Sequence, residues 1–354
     1  MPARVCKCWK SIADRIMKSR QQFTWAVYDA QYQDDDDIFT YDKELEQCLS
    51  SCSSIPKLAL LFMEPDANAL FPENGAYAGN SIEAYLHQIL PSDCQLVGFS
   101  TPGVVSTSRD LKYISESEDQ QTSCACVLFP KMNGVNIHIF RVPKNEFMQG
   151  SHRDNIWKTT GIPENEDVKC ILIIGFNRFA FHAMGQLVNH LADVYNKKNH
   201  DIVISGAYAN DLVTPRTLER EEKKTGILGL VFSGPNVKAA SVVLNSRVTH
   251  PDHAKRELLK LKSVGLSEKK TIAFMFACIG RGTEHYNQRN VESEAFKSIF
   301  PNTPLFGFFG NGEVGCEQLK CGKRPDGSHP LPNAISPELL HAYTTVFCMI
   351  SFDN

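Results

Sequence analysis

The chain has 354 residues, 42% of them hydrophobic and 22% charged, with a formal net charge of −3. This is the make-up of an ordinary globular protein, with material for a sizeable core in two or three domains of roughly 150 residues each. The charge balance argues against nucleic acid or an anionic membrane as partner, and no apolar run approaches the roughly 20 residues that cross a bilayer.

The first residues carry no apolar core of a signal peptide, and 12 cysteines in such a chain point to a reducing compartment and free thiols. Val5, Trp9, Ile12 and Ile16 stand at helical spacing within residues 4–25, which predicts an amphipathic helix with a basic outer side. Its expected role is packing against protein, with a membrane surface as the lesser alternative. Residues 26–55 read as an acidic linker with a short helix. Four consecutive carboxylates, Asp34 to Asp37, lack the alternate spacing of a calcium loop.

Three stretches then share one pattern of short apolar and β-branched runs bounded by Gly, Pro, Asn and Asp. The first runs from strand 58–63 through a helix over 81–90 to a strand from Leu96, with further strands at 124–129 and 135–142. The second runs from strand 171–176 through a helix over 182–195 to strand 202–207, then 226–232 and 237–244. The third runs from strand 271–276 through a helix over 291–300 to strand 305–309, with a closing strand at 343–352. Ala84-Tyr85 with Ile89-Leu90-Pro91 parallels Ala295-Phe296 with Ile299-Phe300-Pro301. The reading is an α+β fold, mixed sheets with flanking helices, built from three related β-α-β-β units. A spacing of about 100 residues is too long for a solenoid. A further helix over 253–263, capped by Asp252, follows a subdomain boundary near Arg247, so the main units fall at 56–246 and 247–354. Segments 106–123, 144–168 and 211–225 are polar and read as exposed loops.

Gly310, Gly312 and Gly315 spell G-x-G-x-x-G after an apolar run. A dinucleotide loop needs a helix behind it, and Gly322 and Pro325 leave no room for one. The glycines are therefore a turn at a strand end, where another backbone can approach closely. Cys278 to Gly282 is a second such turn. If the units are related, the two turns leave neighbouring strands on one edge and bring Arg281, Asn311 and Glu313 together. The Arg fork suits a carboxylate, and Asn and Glu suit amide or ammonium groups. The binding set is thus Cys278, Arg281, Gly282, Gly310, Asn311, Gly312 and Glu313. The bland alternative is that Arg281 and Glu313 pair to lock the turns.

Cys316 follows the glycine turn near Lys320, Lys323 and Arg324, so it is expected to be the most reactive thiol. A Cys278/His285 nucleophile–base pair lacks an orienting acid, which argues against an enzyme. The single pairs Cys6/Cys8, Cys48/Cys52 and Cys124/Cys126 do not make a zinc site, and Cys124 and Cys126 read as core. His138, His182 and His190 read as structural. No metal or cofactor is expected.

Val5-Cys6-x-x-Trp9 with a second Trp resembles the last helix of an F-box, the module that docks substrate receptors on the Skp adaptor of SCF ubiquitin ligases. The first two thirds of an F-box do not appear in this sequence, so docking on adaptor and cullin through Val5 and Trp9 rests on a remnant. Phe276–Gly282, Asn290–Phe296, Pro304–Cys316 and His341–Thr345 resemble the C-terminal part of a FIST domain. Gln95–Gly103 with Leu128-Phe129-Pro130 resembles its N-terminal part. The resemblance implies a FIST N-type domain over 56–246 and a FIST C-type domain over 247–354. It also implies a substrate receptor for ubiquitin transfer and proteasomal degradation in nucleus and cytoplasm. The implied targets are chromatin and transcription regulators such as a histone lysine demethylase. The alternative it leaves is a binding module for a small amino-acid-like ligand, without ligase association.

Overall fold

The computed structural model describes residues 22–29, 45, 48–50, 55–65, 67, 82–118, 123–143, 156–176, 180–213, 225–323 and 338–352. The expected terminal helix with Val5 and Trp9, the Asp34 to Asp37 run, Cys6, Cys8 and Cys52 lie outside the described residues.

Three nearly continuous apolar runs set the architecture. They form strands β2 (Pro56–Met63), β8 (Val168–Phe176) and β14 (Thr271–Cys278), buried along almost their whole length. Strands that are apolar on both sides must be covered on both sides. Their alternation shows how. Leu58, Leu60 and Phe62 of β2, Leu172 and Ile174 of β8, and Phe274 and Phe276 of β14 enter one central core. The intervening Leu61, Ile173 and Met275 enter three separate outer cores.

Each run leads through a helix to a parallel partner. The helices are α1 (Ile82–Ile89), α3 (Ala180–Lys197) and α6 (Val291–Ile299). The partners are β3 (Gln95–Ser100), β10 (Val203–Ala209) and β15 (Leu305–Gly310). A return strand lies antiparallel on the other side of each run: β6 (Ser123–Pro130), β12 (Thr225–Ser233) and β19 (Thr345–Ser351). The repeat read from the sequence is therefore present.

Each unit also lends strands to its neighbours. After β3, β10 and β15 the chain turns a corner into β4 (Gly103–Thr107), β11 (Asp211–Val213) and β16 (Glu313–Gly315). β4 pairs with β15, β11 with β3, and β16 with β10. The last strands of the first two units, β7 (Asn136–Pro143) and β13 (Lys238–Leu244), cross forward to β12 and β19. The matching place in the first sheet, beside β6, is filled by β1 (Thr24–Asp29). The sheet orders are β1-β6-β2-β3-β11, β7-β12-β8-β10-β16-β18 and β13-β19-β14-β15-β4-β5, where β5 is Ile114–Ser117 and β18 is Leu340–His341, and a separate antiparallel pair joins β9 (His200–Asp201) to β17 (Gly322–Lys323). Three sheets thus enclose one aromatic centre, in which Phe62 packs on Phe274 and Phe308, and Phe99 on Phe176. Helices cover the outside, including α2 (Ile156–Thr160), α4 (Pro251–Lys262) and the short α5 (Thr283–Tyr286).

Four expectations need correction. Trp25 belongs to β1 and not to a helix, because Phe23, Trp25 and Val27 alternate toward the central core. Residues 106–123 are not all exposed loop: β5 is fully buried despite its polar Ile-Ser-Glu-Ser sequence. The segments 144–168 and 211–225 contain α2 and β11. Helix α4 is capped by the His250 ring, which accepts from the Asp252 backbone N–H, with Pro251 opening the helix.

Candidate functional site

The corners between β3 and β4, β10 and β11, and β15 and β16 lie at one end of the molecule, where the parallel strands finish. They are stitched to one another. Asn210 N–H donates to Ser100 O at 2.9 Å, and Asn311 N–H donates to Tyr208 O at 3.1 Å. The third corner carries the chemistry.

Cys278 ends β14 opposite Gly310 in the parallel register. Its N–H donates to Thr344 O at 2.9 Å, and Ile279 N–H donates to Gly310 O at 2.8 Å. The two glycine turns are therefore neighbours, as the repeat implied. Gly312, at φ +111°, lies under Phe181, and a Cβ there would stand 2.9 Å from the ring. Behind it Glu313–Gly315 is a strand and not a helix, so the glycine run does not build a dinucleotide loop.

Glu313 is fully buried. Its Oε2 accepts from Thr344 N–H at 3.2 Å and from Thr344 Oγ1 at 2.9 Å. Its Oε1 has no complete hydrogen bond, and the weakly donating Cys278 thiol interacts with the carboxylate. Burial pushes the Glu313 carboxyl up to about 7 despite the Thr344 bonds. Burial and then the nearby Glu313 charge push the Cys278 thiol up. Cys278 and Glu313 thus lie side by side just under the surface, each pushed toward its protonated form.

Arg281 does not join that pair. It is 1% exposed. Its Nε donates to Glu292 Oε1 at 2.8 Å, Nη1 donates to Asn245 O at 3.2 Å and Tyr343 O at 3.3 Å, and Nη2 donates to Val248 O at 3.1 Å. Nη2 also bonds Glu292 and the Tyr286 hydroxyl. The expectation that Arg281 grips an outside carboxylate is overturned, and so is its pairing with Glu313. The first turn of α6 supplies Glu292 at closer range. Gly282, at φ +82°, leaves room for the Glu118 carboxylate, which would stand 2.3 Å from a Cβ there. Glu118 accepts from Thr283 N–H at 3.0 Å. These residues brace the corner from below.

The surface above is apolar. Ile279 is 52% exposed, Tyr343 63% and Phe181 40%. Gly280 lets the Tyr343 ring lie close, since a Cβ there would meet the ring at 3.2 Å. Tyr343 holds φ +58°, an unfavourable conformation for a bulky residue, and its carbonyl is fixed by Arg281. Phe181 stacks on Tyr208 at 4.7 Å. Asn311 is exposed at the turn between them. Sequence reasoning placed Cys278, Gly310, Asn311, Gly312 and Glu313 together but missed Thr344, Tyr343, Phe181 and Glu292. Thr344 and Tyr343 stood in a quoted motif with no assigned role, and no local pattern marks a left-handed tyrosine.

Cys316 is not the poised thiol expected. Burial, and then the Glu317 charge, push it up to about 11. Lys260 reaches Glu317 at 2.6 Å, and the chain around Cys316 packs on the outer core of the second sheet. His285 Nε2 bonds Val248 O at 2.8 Å, so that ring nitrogen is not free for Cys278. Cys124 and Cys126 are buried in the outer core of the first sheet. Among the described residues no group of His, Cys, Asp and Glu has the form of a metal site.

Residues 230–316 match the FIST C domain family model. The chain is similar to F-box only protein 22 of Homo sapiens, at 28% identity over 373 aligned positions covering 98% of this chain and 87% of the relative. The Pongo abelii protein of the same name is similar at 27% identity with the same coverage. Among solved structures, cyanuric acid hydrolase from A. caulinodans aligns with a TM-score of 0.40 and 11% identity, covering 94% of this chain and 100% of that one. A chorismatase aligns with a TM-score of 0.30 and 7% identity, covering 94% and 99%.

Proposed function

We propose that this protein is a substrate-recognition subunit of an SCF-type E3 ubiquitin ligase. It holds a protein partner for ubiquitin transfer and proteasomal degradation and performs no catalysis itself. The observation that carries the reading is similarity to F-box only protein 22 along 98% of the chain, together with the FIST C match. The corner end supplies a fitting surface. Ile279, Tyr343 and Phe181 are exposed apolar groups on a backbone fixed by buried hydrogen bonds, and exposed apolar groups of this size can anchor a partner. A receptor needs rigid placement of a few anchors and no reacting group. The targets proposed are chromatin and transcription regulators, such as a histone lysine demethylase, met in nucleus and cytoplasm.

A second reading has one observation in its favour. The buried, incompletely bonded Glu313 carboxyl beside Cys278 is a polar feature that a small amino-acid-like ligand could complete. Co-purification of the full chain with Skp-type adaptor and cullin separates the two. Recovery of both supports the receptor. Loss of both, with calorimetric binding of free amino acids that Glu313→Gln abolishes, replaces it with the ligand module.

A further inference from the structure

The end of the molecule opposite the corners holds a cavity of about 350 Å³. Its position follows from strand direction. Lys269 and Lys270 precede β14, Phe352 follows the antiparallel β19, Phe23 precedes β1, and Met132 follows β6. All of these termini fall where the parallel runs begin, far along the strands from Cys278 and Glu313.

The walls are aromatic and fixed. Trp25 Nε1 donates to Thr107 O at 3.0 Å, and its ring meets Phe306 edge-on at 5.7 Å. Phe23 lies 6.0 Å from Trp25 and 6.0 Å from Phe352. Phe23 and Trp25 are only partly buried, so the rings present area to the cavity. Among the described residues the charged groups in the lining are Lys269 and Lys270, both cationic, and no described carboxylate lines it. The nearest acid along the chain, Glu268, is engaged by Lys262 at 2.6 Å and by Asn302 N–H at 3.2 Å. A volume in the usual ligand-pocket range, mostly apolar walls and a few polar groups describe a small-molecule site.

We propose that this cavity binds a small amphipathic monoanion, with an aromatic body against Trp25, Phe23 and Phe352 and a carboxylate head at Lys269 and Lys270. The described lining selects against zwitterions, because an ammonium group there would lie beside Lys269 and Lys270 and not beside an acid. The site is thus distinct in place and in charge preference from the Cys278–Glu313 corner.

The test titrates the full chain with three compounds of one shape: 3-phenylpropanoate, 3-phenylpropanamide and phenylalanine. Binding is read by calorimetry and by tryptophan fluorescence. The expected result is saturable binding of 3-phenylpropanoate with Kd below about 1 mM, with the amide and the amino acid at least about fivefold weaker. The Lys269→Glu/Lys270→Glu variant is expected to lose about tenfold or more at an unchanged melting temperature. Trp25→Phe, which removes part of the aromatic wall, is expected to lose the fluorescence change and to weaken the calorimetric binding. Equal binding of the three compounds, no saturable binding, or parental affinity in the lysine variant overturns the proposal.

Discussion

Buried charge at single residues sets how the molecule responds to pH and to substitution. Glu116 of β5 is pushed up to about 8 by burial and then by the Glu292 charge, and Glu313 up to about 7 by burial. Both folded values lie above the ordinary carboxyl value, so the folded state binds more protons than the unfolded chain between them. Their contribution to stability is complete below about pH 4.5 and is lost as pH rises toward 8. The melting temperature of the parent is therefore expected to fall across that window, and Glu116→Gln is expected to flatten the fall. A variant profile parallel to the parent contradicts the assignment. Arg281 gives a second residue-scale expectation. Removing one partner of a fully buried ion pair costs roughly 3–5 kcal/mol, so Arg281→Met should destabilise strongly, while Arg281→Met combined with Glu292→Leu should recover part of the loss. Denaturant unfolding of the parent, Arg281→Met, Glu292→Leu and the double variant measures this, and purely additive losses would contradict the pairing.

At the scale of elements, two glycines mark equivalent strands. Gly206 of β10 stands opposite Ile173, and Gly307 of β15 opposite Met275, each three residues before its strand ends. A Cβ at either would come within 1.8 Å of the partner strand's carbonyl oxygen. Gly206→Ala and Gly307→Ala are each expected to cost more than about 2 kcal/mol, seen as a loss of soluble yield or a lowered unfolding midpoint. Tyr343→Gly has the opposite sign, because it relieves a left-handed backbone and should gain about 1 kcal/mol by the same measure.

These elements also show what was legible beforehand. The strands of each unit were readable because runs such as Ile272 to Phe276 are apolar throughout and end at glycine or polar residues. β5 was not, because Ser115, Glu116 and Ser117 read as surface and are buried only by a sheet supplied from the third unit. Strand exchange between units leaves no trace in local pattern. At the site, the glycine turns were visible and their neighbourhood followed from the repeat. The partner of Arg281 was not, since the repeat in the sequence favoured Glu313 and only packing puts Glu292 on the guanidinium.

At the scale of the whole molecule, interleaving makes the units mutually dependent. The sheet that holds β14, β15 and β19 also contains β13 and the β4–β5 hairpin. The central core draws on all three sheets. A fragment beginning near Arg247 would leave strand edges and inner faces uncovered, so the fragment is expected not to fold alone. The full chain is expected to unfold in one transition by calorimetry. The same rigidity serves recognition, because Ile279, Tyr343 and Phe181 project from corners held by all three units. The direct measurement is quantitative affinity capture from cells with the full chain and with an Ile279→Asp/Tyr343→Asp variant of unchanged melting temperature. The receptor account predicts Skp-type adaptor and cullin with both proteins, and a set of protein partners with the parent that drops at least about tenfold with the variant. Capture of no adaptor or cullin by either protein, or an identical partner set from both, would contradict it.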